Sequence, residues 1–553
     1  MKISLTFLLP LFISATYAAH AAPDAGQLLQ EIEKQRGAEL LKPSLPEIAP
    51  APQPMRSIDG MSVTISQFTF IGNTLISSPE LEEVVKSYLN RTLSFVDLQQ
   101  AAANVAKSYR NAGWIVRAYL PQQDIKQGRI TIQIVEAVFG GARLEGDEPT
   151  RFNSNAAINM IETAQPKNTL LNGDKIDRAL LLLNDLPGIT ATGTLIKGVK
   201  QSETDIVIKL ADEPLFSGDM GIDNASSYST GSERITANFK LGSPLKIGDQ
   251  AVANLSHSKG NDYLRLAYSL PVDKDGWRVG ASGSYLNYDI VEGDFKDAEI
   301  DGNSSTAGID ASYPIIRSRL RNLTLGLNYD HKAFENKTAN VITTDYSVDN
   351  TSISLNGNLF DKLGGGGANS ASISLTHGNL NFNDQDNRKG GSTNLEGEFT
   401  KLNYYLSRQQ AITNSVSLYS ALSGQEASKK LDSSEKLYLG GAYGVRAYPS
   451  NEGSGSEGQL ANIELRWRLP LPENITMTGF YDLGHVSKTD TTPTSYTLKG
   501  AGISSSYTAN SGFNLKATWA RRIGDNPNPA ANGDDQDGTL HKNRFWLQAT
   551  TQF

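Results

Sequence analysis

The chain has 553 residues, and its 51 basic and 59 acidic side chains give a formal net charge of −8. It contains no cysteine, which excludes disulfides, thiolate nucleophiles and cysteine-bound metals, and its six scattered histidines argue against a His-rich metal site. Hydrophobic residues make up 39% of the chain, and no run of about 20 apolar residues follows the N-terminus, which excludes a helical membrane protein. More than one domain is expected at this length.

The first 21 residues have the pattern of a secretory signal peptide. Lys2 supplies a positive start, residues 3–13 form an apolar stretch too short for a membrane anchor, and Ala19 and Ala21 are small residues at the cleavage positions. The alternative is a core helix. We predict a signal peptide over 1–21, cleaved after Ala21 or Ala22.

A helix and a tether are predicted next. Residues 22–41 place Ala25, Leu28, Leu29 and Ile32 at helical spacing, and the stripe ends there, so no long packing face is expected. Helix 24–41 would be about 27 Å long. Residues 42–60 contain five prolines, which forbid a helix and favour an extended linker.

Residues 61–137 and 138–213 predict two tandem α/β units with the order β-α-α-β-β. The first begins with one strand over residues 63–70, with or without a bulge near Gln67. It continues with two helices closed by Gly113 and ends with strands at 116–120 and 130–134. The second repeats this order, with a strand near Ala142, helices near Ala156 and Asp174, and strands near Ile189 and at 206–210.

These units resemble POTRA domains, the periplasmic modules of outer-membrane protein transporters. The similarity is sharpest from Tyr109 to Ile134, although any small α/β domain remains an alternative for this stretch alone. The resemblance implies that the units bind a client polypeptide, plausibly by adding its strand to an exposed sheet edge. Four residues of this stretch are candidate partner-binding residues: Tyr109, Trp114, Tyr119 and Leu120.

Residues 214–553 predict a transmembrane β-barrel. Apolar and polar side chains alternate, as at Leu323, Leu325 and Leu327, so one face is apolar and the other must face water. Seven breaker clusters (near residues 244, 271, 314, 364, 410, 472 and 511) are mostly too widely spaced for a regular soluble sandwich. Seven turns imply about sixteen antiparallel strands, each of about 10 residues, with loops of roughly 20. The chain ends in alternation to Phe553, which resembles the C-terminal strand of outer-membrane proteins.

The longest predicted loop, from Gly424 to Gly458, contains Val445-Arg446-Ala447-Tyr448. The next strand contains Phe480-Tyr481-Asp482-Leu483-Gly484, in which parity turns Phe480, Asp482 and Gly484 toward the lumen. An inward carboxylate favours a cationic partner, so we predict that Arg446 and Asp482 form an ion pair that locks the loop inside the barrel. Two independent solvated charges are the alternative. His485 is predicted to line the pore.

These two segments resemble the hallmark motifs of the outer-membrane insertase and transporter superfamily, in which the loop motif is usually Val-Arg-Gly-Tyr. Ala447 stands where the family has Gly, which puts the backbone angles of the loop tip in question. Val445, Tyr448, Phe480 and Gly484 are the supporting motif residues.

Helix, proline linker, two POTRA-like units and barrel together resemble the transporter of two-partner secretion. The resemblance implies a pore in the outer membrane, with periplasmic N-terminal domains, that exports one large β-rich exoprotein without ATP. The helix within residues 22–41 is predicted to plug the lumen, because its length of about 27 Å matches an apolar band about 25 Å tall and it lacks a long packing face. The resemblance also implies contact with outer-membrane lipid, periplasmic chaperones and the barrel-assembly machinery. The client could be an adhesin, a haemolysin, a contact-dependent toxin or a haem carrier. The alternatives are a general outer-membrane insertase and a passive porin. No enzymatic site, cofactor, metal or nucleic-acid partner is expected.

Overall fold

A computed structural model describes residues 22–36, 62–123, 128–200, 202–383, 395–470, 474–489, 493–530 and 532–553. The predicted signal peptide, the proline-rich linker and residues 37–41 of the predicted helix lie outside these ranges. The helices are α1 (Ala25–Arg36), α2 (Ser78–Val85), α3 (Phe95–Asn111), α4 (Ser154–Ala164) and α5 (Gly173–Asn184). In the described part of the chain, no helix is long and apolar enough to cross a membrane.

Two small α/β units precede the barrel. Their strands are β1 (Ser62–Thr64), β2 (Gln67–Ile71), β3 (Thr92–Ser94), β4 (Val116–Tyr119), β5 (Arg129–Glu136), β6 (Val138–Leu144), β7 (Ile189–Lys197) and β8 (Glu203–Asp212). The first unit has the sheet β2-β5-β4 and a separate pair β1-β3, and the second unit has the sheet β6-β8-β7.

The prediction of one strand over residues 63–70, interrupted at most by a bulge near Gln67, is wrong, because the chain breaks there into β1 and β2. The backbone N–H groups of Ser66 and Gln67 both donate to the carbonyl oxygen of Gly128, at 2.8 and 3.3 Å, and this turns the chain from one sheet to the other. The short strand β3, which pairs with β1, has no counterpart in the prediction.

The two units share a carboxylate clasp that supports their internal repeat. In the first unit, Glu136 accepts hydrogen bonds from the backbone N–H groups of Thr74 and Leu75 at 2.7 and 2.9 Å. In the second unit, Asp212 accepts from the N–H groups of Thr150 and Arg151 at 2.9 and 3.0 Å. In both clasps the threonine and the carboxylate are 62 residues apart. Each clasp therefore ties the last strand of its unit to the loop before the first helix of that unit.

Sixteen antiparallel strands close into one barrel, which confirms the predicted strand number. Two short strands, β20 (Leu437–Tyr438) and β21 (Ser454–Gly455), pair with each other inside a loop. The barrel strands are β9 (Phe216–Asp223), β10 (Arg234–Gly242), β11 (Gln250–Ser258), β12 (Asn261–Pro271), β13 (Arg278–Asp289), β14 (Ile300–Arg317), β15 (Arg321–Thr338), β16 (Val341–Asp361), β17 (Gly367–Phe382), β18 (Gly397–Ala411), β19 (Val416–Ala427), β22 (Glu457–Arg468), β23 (Asn474–Ser487), β24 (Ser495–Thr508), β25 (Asn514–Arg522) and β26 (Asn543–Gln552).

The barrel closes where its last strand meets its first. Strand β26 pairs with β9 from Gln548↔Asp223 to Gln552↔Asp219. At this seam the ring of Phe553 lies 5.6 Å from that of Phe216 and 6.0 Å from that of Phe239, measured between centroids. The terminal aromatic residue therefore packs on the first two strands of the barrel.

The predicted lengths of strands and loops are wrong. Strands β14, β15 and β16 have 18, 18 and 21 residues, whereas about 10 were expected. Two connections, at residues 259–260 and 339–340, consist of two residues each, whereas the connection at 428–456 is long. A turn is predicted near Pro314, but Pro314 lies within β14 beside a register shift. Proline can occupy such a bulge because no N–H is required there.

The second unit docks on the short turns at one end of the barrel through three Arg–Asp pairs. Arg319 reaches Asp177 at 2.5 Å and Arg178 of α5 reaches Asp275 at 2.5 Å. Arg317 donates to both oxygens of Asp185, each at 2.7 Å. These contacts hold the α/β units at the barrel mouth.

Helix α1 lies inside the barrel. Its side chains Ala25, Leu28 and Leu29 are buried in an apolar cluster with barrel residues that include Tyr288 and Phe334. As expected, α1 has no long packing face. Its one short stripe packs on the complementary apolar surface that the lumenal wall of β13–β15 supplies.

Candidate functional site

The connection between β19 and β22, residues 428–456 (hereafter the long loop), folds back into the lumen. Its tight path depends on glycine: Gly441 has φ +94°, and a Cβ on Gly444 would lie 1.9 Å from the carbonyl oxygen of Leu439. Leu439, Val445, Ala447 and Tyr448 are buried in an apolar cluster with residues of β22–β25. This packing places the loop tip against the inner wall of those strands.

At the loop tip, Arg446 meets Asp482 of β23. The guanidinium donates from Nη2 to Oδ1 at 2.7 Å and from Nε to Oδ2 at 2.9 Å. The backbone N–H of Arg446 also donates to Oδ2 at 3.0 Å. Only 6% of the Arg446 side chain and none of the Asp482 side chain is exposed. The pair is bidentate and shielded, the geometry in which a charge-assisted hydrogen bond is strongest.

Further contacts hold the guanidinium in place. Its Nη1 donates to Glu464 of β22 at 2.8 Å, and the Phe480 ring lies beneath it with 3.5 Å between Cζ and the ring centroid. Asn462 donates to Oδ1 of Asp482 at 2.8 Å. Burial would lower the pKa of Arg446, but the carboxylates of Asp482 and Glu464 raise it. Arg446 therefore remains charged with two anionic partners.

Ala447 fits the loop tip without left-handed backbone. It is not among the described residues with positive φ, so this position does not require glycine here. Its methyl group faces Gly500 of β24, where a built Cβ would lie 2.6 Å from the Ala447 Cβ. The absent side chain at Gly500 thus leaves the space that the extra methyl group of Ala447 occupies.

The remaining motif residues pack around the ion pair. A Cβ on Gly484 would lie 2.9 Å from Cγ2 of Val445, so this glycine lets the loop approach the strand. Tyr448 is buried beneath the guanidinium of Arg522, whose Cζ is 4.5 Å from the ring centroid.

His485 was predicted to line the pore, and this is wrong, because it is exposed on the outward face of β23 together with Tyr481 and Leu483.

The long loop also holds helix α1. Gly26 faces the loop so closely that a Cβ there would lie 2.8 Å from Ser433 Oγ and from Ser434 Cβ. The Lys34 ammonium donates to the carbonyl oxygen of Tyr438 at 2.8 Å, and Gln30 donates to that of Ser434. From the other side, Asn451 donates to Glu31 at 3.2 Å. Helix and loop thus form one connected obstruction in the lumen.

The comparisons with known proteins agree with this architecture. The family described as haemolysin secretion/activation protein ShlB/FhaC/HecB matches residues 202–507, and the ShlB-type POTRA domain matches residues 63–137. This chain belongs to that family. It is an outer-membrane transporter of two-partner secretion, which moves a partner exoprotein from the periplasm to the cell surface. The insertase and porin alternatives are not supported.

Relatives resemble the transporter over most of its length. The heme/hemopexin transporter protein HuxB of Haemophilus influenzae strain 86-028NP is 26% identical, covering 98% of this chain and 97% of that protein. The outer membrane transporter CdiB of Dickeya dadantii is 24% identical over 82% of each. The solved structure of CdiB from Escherichia coli shares the fold, with a TM-score of 0.69, 20% identity, and coverage of 91% and 93%.

The four candidate partner-binding residues do not form one surface. Tyr109 is fully buried in the core of the first unit, where its hydroxyl donates to Glu136 at 3.1 Å, so the expectation that it contacts a client is wrong. Trp114 is half-buried at the junction of the two units, where it bridges to Asn172, and Leu120 packs against the core. Tyr119 is exposed on β4, an edge strand of its sheet.

The sequence reasoning missed a second ion cluster, in which Glu435 of the long loop crosses the lumen to the opposite wall. Its Oε2 lies 2.6 Å from the Lys401 ammonium and its Oε1 lies 3.1 Å from that of Lys332. Asn350 donates to Oε1 at 2.8 Å. Burial alone would raise the pKa of Glu435, but the two ammonium groups lower it to about 2. One signal was available in the sequence: strand alternation turns Lys332 and Lys401 toward the lumen, where a carboxylate of the loop can pair with them.

We expect Glu435→Gln to weaken docking of the long loop by about 2–3 kcal/mol at neutral pH, because two buried ammonium groups lose their anionic partner. The carboxylate has a lowered pKa, so its contribution is complete above the unfolded value of 4.5 and is lost as pH falls toward about 2. Hydrogen exchange of residues 428–456 at pH 7 and pH 3.5 measures this. A difference between the proteins that is equally large at both pH values would contradict the assignment.

A third cluster connects the long loop to the last loop, residues 523–542. Asp535 is buried between Arg522 at 2.5 Å and Arg544 at 2.9 Å. Glu452 of the long loop accepts from Asn526 and from the backbone of Gln536, both at 3.0 Å, and burial raises the pKa of Glu452 to about 7.

Among the described residues, no group of three or more His, Asp or Glu side chains could hold a metal ion.

Proposed function

We propose that this transporter secretes an exoprotein of the haem- or haemopexin-binding kind. The similarity to the heme/hemopexin transporter HuxB supports this choice, since the three matched HuxB proteins are 26–27% identical to this chain and the matched CdiB proteins are 24–25% identical. A toxin exporter of the CdiB kind is the second candidate. The exoprotein would reach the pore unfolded, accompanied by periplasmic chaperones, and the pore would depend on the barrel-assembly machinery and outer-membrane lipid for its own insertion.

The observation that carries the mechanism is the double obstruction of the lumen. Helix α1 and the long loop both lie inside the barrel and contact each other, as at Gly26 and Ser434. A polypeptide can pass only if part of this obstruction moves. Arg446 and Asp482 would serve as the lock that sets the loop position, and α1 as the plug. The chain carries no recognised nucleotide-binding motif, so the driving force for export would come from the client itself. Folding of the client outside the cell would prevent its return through the pore.

Capture would occur on the first POTRA unit. Strand β4 pairs with β5 on one side only, so its other edge is free of a strand neighbour within the described sheet β2-β5-β4. An extended client segment can add to such an edge through backbone hydrogen bonds. The exposed Tyr119 side chain, 41% accessible, stands beside this edge and would contact alternate side chains of the client.

We expect Tyr119→Asp to lower secretion several-fold, because a carboxylate at the capture edge removes aromatic contact area and is costly to desolvate against an apolar client. The matched control is Val96→Asp, which alters an exposed apolar residue of α3 in the same unit, away from β4. Secreted exoprotein is quantified in the medium, and heat-resistant gel migration verifies the barrel. Equal losses in both variants would argue against a specific edge.

The proposed client is tested by co-expressing the transporter with the large exported protein encoded in the neighbouring reading frame. We expect this protein to appear in the medium and to bind haem or haemopexin. Secretion of a protein that binds neither would contradict the haem-carrier assignment and leave the transport function intact. Secretion that continues without the transporter would contradict the partnership itself.

A further inference from the structure

The obstruction leaves one side of the lumen open. A cavity of about 830 Å³ lies between α1, the long loop and the wall formed by β16–β19 and β22. The helix occupies the opposite wall, on β13–β15, and the loop tip is fixed to β22 and β23 by Arg446. The wall of β16–β19 is therefore the part of the lumen that is already accessible before anything moves.

The side chains of this wall that line the cavity share a chemistry: most are polar and uncharged. At one end of the same strands the inward residues Tyr346, Val348, Leu380 and Phe399 instead belong to the apolar cluster around α1. Strand pairing places the polar side chains side by side on the inward face, as at Ser372↔Tyr405 and Tyr405↔Ser423. We call them the lumenal strip: Asn356, Ser370, Ser372, Ser374, Asn403, Tyr405, Tyr419 and Ser423.

Charge is confined to the borders of this strip. Strands β16–β19 are fully described, and Lys401 is the one charged residue at their inward positions, where it pairs with Glu435 at 2.6 Å. On the helix side of the cavity, by contrast, Glu31, Glu33 and Lys34 face it. Apart from the paired Lys401, the charges that line the cavity thus lie on the plug and, at Lys436, on the long loop, while the strip itself is uncharged.

The strip is also internally hydrogen-bonded. Ser372 donates to Asn356 at 2.7 Å, Asn403 donates to Gln425 at 2.8 Å, and the Tyr405 and Tyr419 hydroxyls lie 2.7 Å apart. Hydroxyl and amide groups can both donate and accept, so they can exchange these bonds for bonds to a passing peptide backbone of any sequence. Conduction requires sites that bind well enough to admit a substrate and weakly enough to release it.

We propose that the lumenal strip is the binding track for the exported polypeptide, which slides along β16–β19 in extended form. This inference rests on the proposed transport of an exoprotein through the lumen and adds the wall that receives it. The substrate class is an extended chain recognised through its backbone. Within its own length, the neutral strip neither traps acidic or basic client segments nor offers aliphatic patches to which they would adhere. An apolar band of about 25 Å corresponds to about eight extended residues.

Site-specific photocrosslinking tests the track. The photoreactive p-benzoylphenylalanine is placed singly at Ser372 and Ser423 of the strip, at Thr306 on the inward face of β14, and at Ile353 on the outward face of β16. The probe is the exoprotein of the neighbouring reading frame, fused at its C-terminus to a rigid folded domain that stalls it in the pore. We expect crosslinks at Ser372 and Ser423 at least five-fold above those at Thr306, and none at Ile353.

A charge test on the same wall gives an independent result. Ser372→Lys combined with Ser374→Lys should lower secretion at least five-fold, whereas Ser372→Asn combined with Ser374→Asn should retain more than half. Heat-resistant migration verifies the barrel in each case. Secretion with crosslinks mainly at Thr306 would overturn the track and show that the client replaces α1 on β13–β15. If the unmodified transporter neither takes up the stalled exoprotein nor exports the free one, the proposed function fails, and the track fails with it.

Discussion

Replacing Arg446 or Asp482 with alanine should each release the long loop and impair secretion, and the double variant should be no worse than the more damaging single one. The physical reason is burial. An exposed ion pair contributes about 0–1 kcal/mol, whereas removing one partner of a buried pair costs about 3–5 kcal/mol, because the other charge is left unpaired. Here 6% of the Arg446 side chain and none of Asp482 is exposed, so the larger figure applies.

Non-additivity is the decisive observation, because two residues that act only through each other cannot be lost twice. Loop docking is measured by hydrogen exchange of residues 440–450, and export by the amount of exoprotein in the medium. The matched control is Arg466→Ala, which removes an arginine that also contacts Glu464, at 2.7 Å, but does not reach Asp482. Fully additive effects, with each single variant nearly silent, would favour two independent charges.

Removing the plug should produce the second large effect, a several-fold rise in single-channel conductance. Deleting residues 22–42 takes α1 out of a lumen that otherwise retains a cavity of about 830 Å³ beside it. The barrel should remain folded, because its sixteen strands pair with one another and not with the helix. Planar-bilayer recordings measure the conductance, and unchanged conductance would mean that α1 does not limit the open area.

A point variant separates the plug position from the presence of the helix. Gly26→Leu favours helix formation, yet its side chain has no room, because even a Cβ at this position would lie 2.8 Å from Ser433 and Ser434. We expect it to displace α1 and raise conductance toward that of the deletion. The matched control is Gln27→Leu, since Gln27 is the next residue of α1 and its side chain is half-exposed. Equal effects of the two variants would point to a general weakening of the helix.

The barrel and the ion pair were predictable because each depends on a strong local pattern. Strict alternation places Phe480, Asp482 and Gly484 on one face of β23, and an inward carboxylate favours a cation. The lengths of β14–β16 were not predictable in the same way, because alternation continues beyond the membrane without a signal at the boundary. The role of Tyr109 was also hidden. A tyrosine at helical spacing can face a client or a core, and only the tertiary position of Glu136 decides between them.

The contacts of the long loop with the opposite wall lay beyond sequence reasoning for a related reason. Glu435 is paired with Lys332 and Lys401, which are about a hundred and more than thirty positions away in the chain, respectively. Such pairs depend on how a long loop crosses a closed barrel, and no periodicity encodes that path. Gly26 is another example. It matters because it has no side chain at the point where α1 contacts a loop some 400 residues later in the chain.

The most direct test of the account is to tether the plug to the loop. The chain has no cysteine, so Glu31→Cys and Asn451→Cys, whose native side chains are hydrogen-bonded at 3.2 Å, can be linked selectively by a short reducible bifunctional thiol reagent. Each single cysteine variant treated with the same reagent is the control. We predict that the tethered transporter stops secreting the exoprotein and recovers when the link is reduced. Undiminished secretion by the fully tethered protein would contradict the claim that the plug α1 must move away from the docked loop before a polypeptide can pass.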